Sequence, residues 1–280
     1  MAGTVGPGAP TLVGVPWDGG ASYLRGGALG PSAVRDALWS PSRNAYTESL
    51  RDLRDPAVLA DAGDFTLPTA AVDARNAIRE GIARLLDAAA RPIALGGDHS
   101  ISYPILQAVR ARHARLTIVQ VDAHSDLYDD FNGDRYSHAC PFARILEEGL
   151  CDRLVQVGIR TRTPAQRETA ARYGVEVIDM RAWAAGARPV VDGPLYWSID
   201  LDGLDPAHAP GVSHPEPGGL STREVLTLLA TQRGPVVGAD VVELNPSRDP
   251  GGLSAAVAAA LVRGLVDVMH DTTPGTAARP

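Results

Sequence analysis

Three short motifs of this 280-residue sequence hold six side chains that could bind metal. GGDHS, Gly96–Ser100, carries His99. VQVDAHSD, Val119–Asp126, carries Asp122, His124 and Asp126 on alternate positions. LYWSIDLDGLDP, Leu195–Pro206, carries Asp200 and Asp202, again two apart. Alternate residues of a strand point to one side, so each set converges if the extended backbone persists. Such a group is costly to bury unless something cationic neutralises it. Four carboxylates and two imidazoles are too many anions for one divalent ion in a compact site. They fit two ions bridged by carboxylates, about 3.5–4 Å apart as in two-metal hydrolases, which would activate water for attack. Few imidazoles and no thiolate favour Mn²⁺ over structural zinc or a soft metal. A fourth motif, VVGADVVELNP, carries Glu243 near its end.

The elements that must position these residues follow one rhythm. Apolar, β-rich runs occur at Thr11–Trp17, Ala57–Phe65, Pro92–Gly96, Leu116–Asp122, Leu154–Gly158, Val175–Met180, Leu195–Leu201 and Val236–Leu244. Most segments between them read as helices. Thr69–Ala90 places Val72, Ile78, Ile82, Leu85 and Leu86 at roughly helical spacing. Ser100–Arg112, Pro141–Glu148, Pro164–Tyr173, Ser221–Gln232 and Ser254–Met269 are further helices, and Ser221 with Glu224 forms a capping box. Strands alternating with helices predict an α/β fold with a mostly parallel sheet covered on both faces. Ligands of open α/β sheets bind at the carboxyl ends of the strands. All four motifs lie at predicted strand ends. In the last run, alternation puts Glu243 with Val241, and Asp240 with Val242 and Leu244.

Composition narrows the function classes. Hydrophobic residues make up 45% of the chain, enough for a large core, and no linker divides it, so residues 1–280 read as one catalytic domain. A formal net charge of -7 argues against a general nucleic-acid binder and fits a cationic or metal-borne ligand. Cys140 and Cys151 form neither a disulfide framework nor a CxxC site, which suggests a reduced, cytoplasmic setting. The N-terminus does not read as a signal peptide, and no apolar run reads as long enough to span a bilayer.

GGDHS, DAHSD, SIDLDGLDP and DVVELNPSRDP, in that order, resemble the ureohydrolases, the family of arginases and agmatinases. The likeness runs from GVPWDGGASYLRGGALGPSAVRDAL to the last helix. YSHACPFARILEEG, LVQVGIR and APGVSHPEPGGL are most similar to the plant-type arginase branch. The resemblance implies a three-layer α/β/α sandwich around an eight-stranded, mainly parallel sheet. It implies two Mn²⁺ ions per subunit and a homotrimer or homohexamer. It carries the metal-ligand role to His99, Asp122, His124, Asp126, Asp200 and Asp202. It assigns Asp126 to orienting the attacking water, Glu243 to gripping a substrate guanidinium, and His138 to proton transfer beside that substrate. An imidazole of ordinary pKa, near ~6.5, suits that task. Ser125 stands where related sequences often carry Thr or Pro. The loop Leu127–Ser137 lacks the Asn- and Thr-rich sequence by which animal arginases hold the substrate's α-amino acid.

Blander roles fit other residues. Asp98 reads as structural, Asp205 before Pro206 as turn chemistry, and His113, His208, His214 and His270 as non-ligands. A Cys140/His138 nucleophile would leave the carboxylates unexplained. The expected activity is hydrolysis of L-arginine or agmatine to urea and an amine. The alternatives are a formimidoylglutamate hydrolase releasing formamide, and a non-catalytic metal-stabilised scaffold. The intact GGDHS and DVVELNP segments favour the first.

Overall fold

A computed structural model of the chain describes residues 8–272. Eight strands form one sheet in the order β2-β1-β3-β8-β7-β4-β5-β6, with every pairing parallel. They are β1 Pro10–Val15, β2 Ala60–Asp64, β3 Arg91–Gly96, β4 Thr117–Val121, β5 Arg153–Val157, β6 Glu176–Ile178, β7 Leu195–Asp200 and β8 Val236–Val242. Each falls in or against one of the eight apolar runs. The run at Val175–Met180 yields only a three-residue strand, because Asp179 accepts a hydrogen bond from Ala182 N and starts a helix at Met180.

The central strands β1, β3, β4 and β7 are apolar along nearly their whole length because both faces are covered. On one face lie α1 Gly30–Leu38, α7 Thr222–Ala230 and α8 Leu253–Asp271. On the other lie α2 Ala71–Asp87, α3 Ser102–Arg110 and α4 Pro141–Glu147. Alternate strand residues divide between two hydrophobic clusters: Leu12, Ile93, Val119 and Trp197 belong to the first face, and Val13, Ala94, Ile118 and Tyr196 to the second. α1 has no counterpart among the predicted helices. Its segment is short and rich in Gly and Pro, and it buries only Gly30, Pro31, Val34 and Leu38. α8 also corrects an expectation. It is apolar and long enough by composition to cross a bilayer. Here it is a core helix, with Leu261, Val262, Leu265 and Val266 fully buried.

Two helices start with capping boxes, one of them predicted. Ser221 and Glu224 close the predicted capping box ahead of α7. Thr163 and Gln166 close a second one at the start of α5 Pro164–Arg172. The four strands bearing the chemical motifs, β3, β8, β7 and β4, are consecutive neighbours at the centre of the sheet. Residues from four distant parts of the chain thus meet at one edge.

Candidate active site

Apart from Asp200, the last residue of β7, the site residues lie beyond the strands that lead to them. β4 ends at Val121, so Asp122, His124 and Asp126 lie beyond it. Asp126 has φ 51°, in the left-handed region, which breaks the extended path of the segment. A buried pair of amides holds that segment. Gln156 Nε2 donates to Gln120 Oε1 at 2.7 Å and to Ser125 O at 2.7 Å, while Gln120 Nε2 donates to Asp122 Oδ2 at 2.7 Å. Glu243 lies beyond β8 with φ 64°. The alternation predicted through Leu244 therefore fails there: Leu244 packs in Val241's cluster, not Val242's. Non-glycine residues held at such φ cost about 1–3 kcal/mol each and persist only where their surroundings over-determine them.

Close backbone approach positions the other motifs. A Cβ on Gly97 would lie 1.6 Å from Trp17 O, so only glycine lets β3 end there. The next residue, Asp98, accepts from Gly20 N at 2.7 Å and Ser100 N at 3.0 Å, capping the turn that begins with His99. This is the structural role expected of it. A Cβ on Gly203 would meet Asp122 N at 2.8 Å, which brings the ends of β7 and β4 together. Asp200 accepts from Asp202 N at 2.8 Å, and a 3-10 turn carries Asp202 alongside it.

All six predicted ligands meet. His99 Nδ1 lies 3.2 Å from Asp122 Oδ2, 3.0 Å from Asp126 Oδ2 and 3.2 Å from Asp200 Oδ2. His124 Nδ1 lies 3.1 Å from Asp202 Oδ2 and 3.7 Å from Asp122 Oδ1. His99, Asp122 and Asp126 form one group that could hold an ion, and Asp122, His124 and Asp202 form a second. Asp122 belongs to both and turns a different oxygen to each histidine.

The donor chemistry fits a metal. His99 Nδ1 is buried and makes no hydrogen bond despite its three carboxylate neighbours. On the other side of the ring, Nε2 is 2.9 Å from Ser198 Oγ, which donates to Asp240 Oδ1 at 2.7 Å. Asp240 also accepts from Tyr196 and Ser102. With its one proton committed to Asp240, Ser198 can only accept from His99. The Nδ1 lone pair therefore faces three carboxylates, and only a cation between them makes that arrangement favourable. Protons are the alternative cation. Burial, with Asp202 and Asp122 nearby, holds the Asp200 carboxyl well above its usual range. Burial raises Asp202 to about 6, with His124 opposing. Burial works against charge on His124, yet Asp202 and Asp122 push it to about 12. Asp122 moves the other way: burial opposes, but His124 and His99 hold it below its usual range.

Beside the cluster is a cavity of about 240 Å³ lined by His124, Asp126, Asp200, Asp202, His138 and Glu243, among others. Glu243 Oε1 accepts from His99 N at 2.9 Å and lies 3.4 Å from His138 Nδ1. Burial lowers the His138 pKa, but Glu243 outweighs it and the imidazole rises to about 9, not the ordinary value expected. His138 Nε2 is 2.8 Å from Ser22 Oγ, and the backbone N–H of His138 donates to Gly20 O. Its loop is anchored by Arg144, which is 3% exposed and donates to Asp129 O at 3.0 Å and Asp129 Oδ1 at 2.8 Å. Burial pushes the Cys140 thiol up to about 12, which makes it a poor nucleophile.

The cavity also contains residues that sequence reasoning did not select: Ser22, Tyr128, Phe131, His214 and the wall Thr161–Thr163 with Gln166. His214 lies in neither ligand group. It stacks on His138 with ring centroids 5.1 Å apart, and burial and His138 lower its pKa. Ser22 and His214 lie in the quoted stretches GVPWDGGASYLRGG and APGVSHPEPGGL, but no chemical spacing marks them. Asp205 accepts from Ala207 N, Gly218 N and Gly219 N, the turn role expected.

Comparison with known proteins agrees with this geometry. The profile of the Arginase family matches residues 9–266. Arginase 1, mitochondrial, of Arabidopsis thaliana is 46% identical over 272 residues, covering 91% of this chain and 79% of the relative. The guanidinopropionase of Pseudomonas aeruginosa is 39% identical, covering 95% and 88%. The structure of arginase from Medicago truncatula superposes with a TM-score of 0.88 at 44% identity, covering 93% of this chain and 87% of that one. The cytoplasmic expectation is overturned, since the Arabidopsis and Medicago relatives are both named mitochondrial. Unpaired cysteines indicate reducing surroundings and do not say which compartment provides them. A family match over nearly the whole chain, an arginase fold and a His/Asp cluster at the strand ends have one meaning: this chain belongs to the arginase family, the ureohydrolases, metal-dependent hydrolases of guanidino C–N bonds.

Proposed function

We propose that residues 1–280 act as one catalytic unit, a binuclear manganese ureohydrolase that converts a small guanidino compound to urea and an amine. L-Arginine is the first candidate and agmatine the second. The observation that carries this reading is the pair of ligand groups sharing Asp122, with Glu243 on the wall of the same cavity. His99, Asp122 and Asp126, with Asp200 beside them, would hold one ion, and Asp122, His124 and Asp202 the other. Oxygen-rich donors with two imidazoles suit manganese. When bound, the metal pair supplies Lewis-acid activation of water.

The protein's own groups do the rest. Asp126 accepts a hydrogen bond from the attacking water and orients it. Glu243 holds the planar guanidinium by charge-assisted hydrogen bonds. His138 carries the proton that the leaving amine requires, since an amide anion is a very poor leaving group. Glu243 is what keeps His138 protonated in the empty cavity. A guanidinium arriving at Glu243 competes for the same charge, which lowers the His138 pKa and makes it a stronger acid as the substrate binds. The names of the plant relatives support arginine, and the name guanidinopropionase supports a guanidino acid. Family resemblance supports a homotrimer or homohexamer, which light scattering would measure.

A urea-release screen on manganese-loaded protein tests the reading, with L-arginine, agmatine and 4-guanidinobutyrate beside formimidoylglutamate. Urea together with the matching amine is expected. Formamide from formimidoylglutamate, with no urea from any guanidino compound, would overturn it.

A further inference from the structure

The two ends of the cavity differ in charge. One end, the inner one, carries the carboxyl groups of Asp126, Asp200, Asp202 and Glu243 together with the imidazoles of His124 and His138. The stretch of wall from Thr161 through Arg162 and Thr163 to Gln166 contributes no carboxylate, and its first residue is bridged to His124. Arg162 is the only arginine or lysine among the described residues lining this cavity. Its side chain is 23% exposed and makes no hydrogen bond. Its ion-pair partner, Asp179, is 3.8 Å away and also caps α6 Met180–Ala184 through Ala182 N. A guanidinium with its donors free, facing a cavity, is built to take an oxyanion.

The wall is also rigidly tied to the metal motifs. Arg160 N and Thr161 N both donate to Ala123 O, at 3.0 and 3.3 Å. The Arg160 guanidinium donates to Asp202 O at 2.6 Å and Gly203 O at 3.1 Å. The Thr163–Gln166 capping box closes the other side. The distance between the inner carboxylates and Arg162 is therefore set by the fold.

We infer that Arg162 selects the tail of the substrate: it binds a carboxylate there and disfavours a tail whose only charge is an ammonium. The preferred substrates are then guanidino carboxylic acids, and agmatine, whose tail is cationic, is disfavoured. This rests on the ureohydrolase reading and adds to it the residue that reads the far end of the substrate.

The test measures kcat/KM for L-arginine, 4-guanidinobutyrate, agmatine and the tail-free n-butylguanidine on manganese-loaded protein, with R162A and R162E. Wild type should favour the two acids over agmatine. R162A should lower kcat/KM for the acids about 10- to 100-fold, the range for hydrogen bonds to a charged group, chiefly through KM. R162E should invert the preference towards agmatine. n-Butylguanidine should be cleaved equally by all three, which shows that the inner end and the fold are intact. Calorimetry gives a readout independent of turnover: L-ornithine should bind wild type more tightly than putrescine does, and R162A should erase the difference. Urea release with a tail preference unmoved by either variant would overturn the role of Arg162 alone. Absence of urea from every compound would overturn the ureohydrolase reading and this inference with it.

Discussion

The inner and outer ends of this cavity are built on opposite principles. At the inner end, Asp122, Asp126, Asp200 and Asp202 are buried carboxylates at or just beyond the ends of central strands; Asp122 accepts from an amide side chain, Asp200 and Asp202 accept from backbone N–H groups, and Asp126 faces His99. At the outer end, Thr161, Arg162 and Thr163 are half-buried side chains on a connecting loop. The inner end concentrates like charge and is costly unless a cation fills it. The outer end has little such cost and can vary without loss of the fold. Chemistry common to a family belongs at the first kind of site, and discrimination among substrates at the second.

The largest expected effect tests the inner end directly. Asp200→Asn and His124→Ala should each lose bound manganese and activity together, since each removes a ligand. Elemental analysis and a urea assay on one preparation decide. Retention of both ions with near-native turnover by Asp200→Asn would remove it from the ligand set.

Glu243→Gln separates substrate recognition from metal binding at the same end. It keeps the shape and removes the charge. Both ions should stay, while kcat/KM falls on the order of 10²-fold or more, as expected when ~3 kcal/mol of charge-assisted bonding is lost. A variant that loses its ions would make Glu243 a structural member of the cluster instead.

His138 lies beside Glu243 on the cavity wall, and its replacement tests the proposed proton transfer. His138→Asn should lower kcat by roughly 10²-fold, the low end for a general acid, with manganese content little changed. Added imidazole should restore part of the rate. An unaltered pH–rate profile would reduce His138 to a loop residue.

The smallest effect is thermodynamic. Burial raises the Asp202 carboxyl to about 6 and holds the Asp200 carboxyl well above its usual range, so these groups favour the metal-free fold when protonated. That contribution is complete below the ordinary carboxylate pKa and is lost as pH rises through about 6. Manganese replaces the protons, so it should raise Tm more at about pH 8 than at about pH 5. Calorimetric scans with and without metal check this. An equal shift at both values would mean that the cluster is not what burial makes it.

Much of the inner end was legible because its residue types are improbable together for any other purpose. His99, the DAHSD acids and the SIDLDGLDP pair announce a cation whatever the backbone does between them. The eight strand runs were equally legible, since strands buried on both faces must be continuously apolar. What the sequence did not reveal was how the side chains converge. The residues picked by alternation do come together, but Asp126 and Glu243 take left-handed backbone conformations, which no periodicity encodes. α1 was missed for a related reason, since Gly and Pro at its start mask a short amphipathic face.

The sequence by itself determined the strand–helix alternation, the six candidate ligands and the family resemblance, because these depend on residue type and local spacing. Only the tertiary structure decided that β3, β8, β7 and β4 are neighbours, that Asp122 faces both histidines, that Glu243 raises His138, and that Arg162 lines the same cavity. Each of these joins residues far apart in the chain. Local propensity carries no information about such contacts; they are set by which strands pair and by how loops close over their ends.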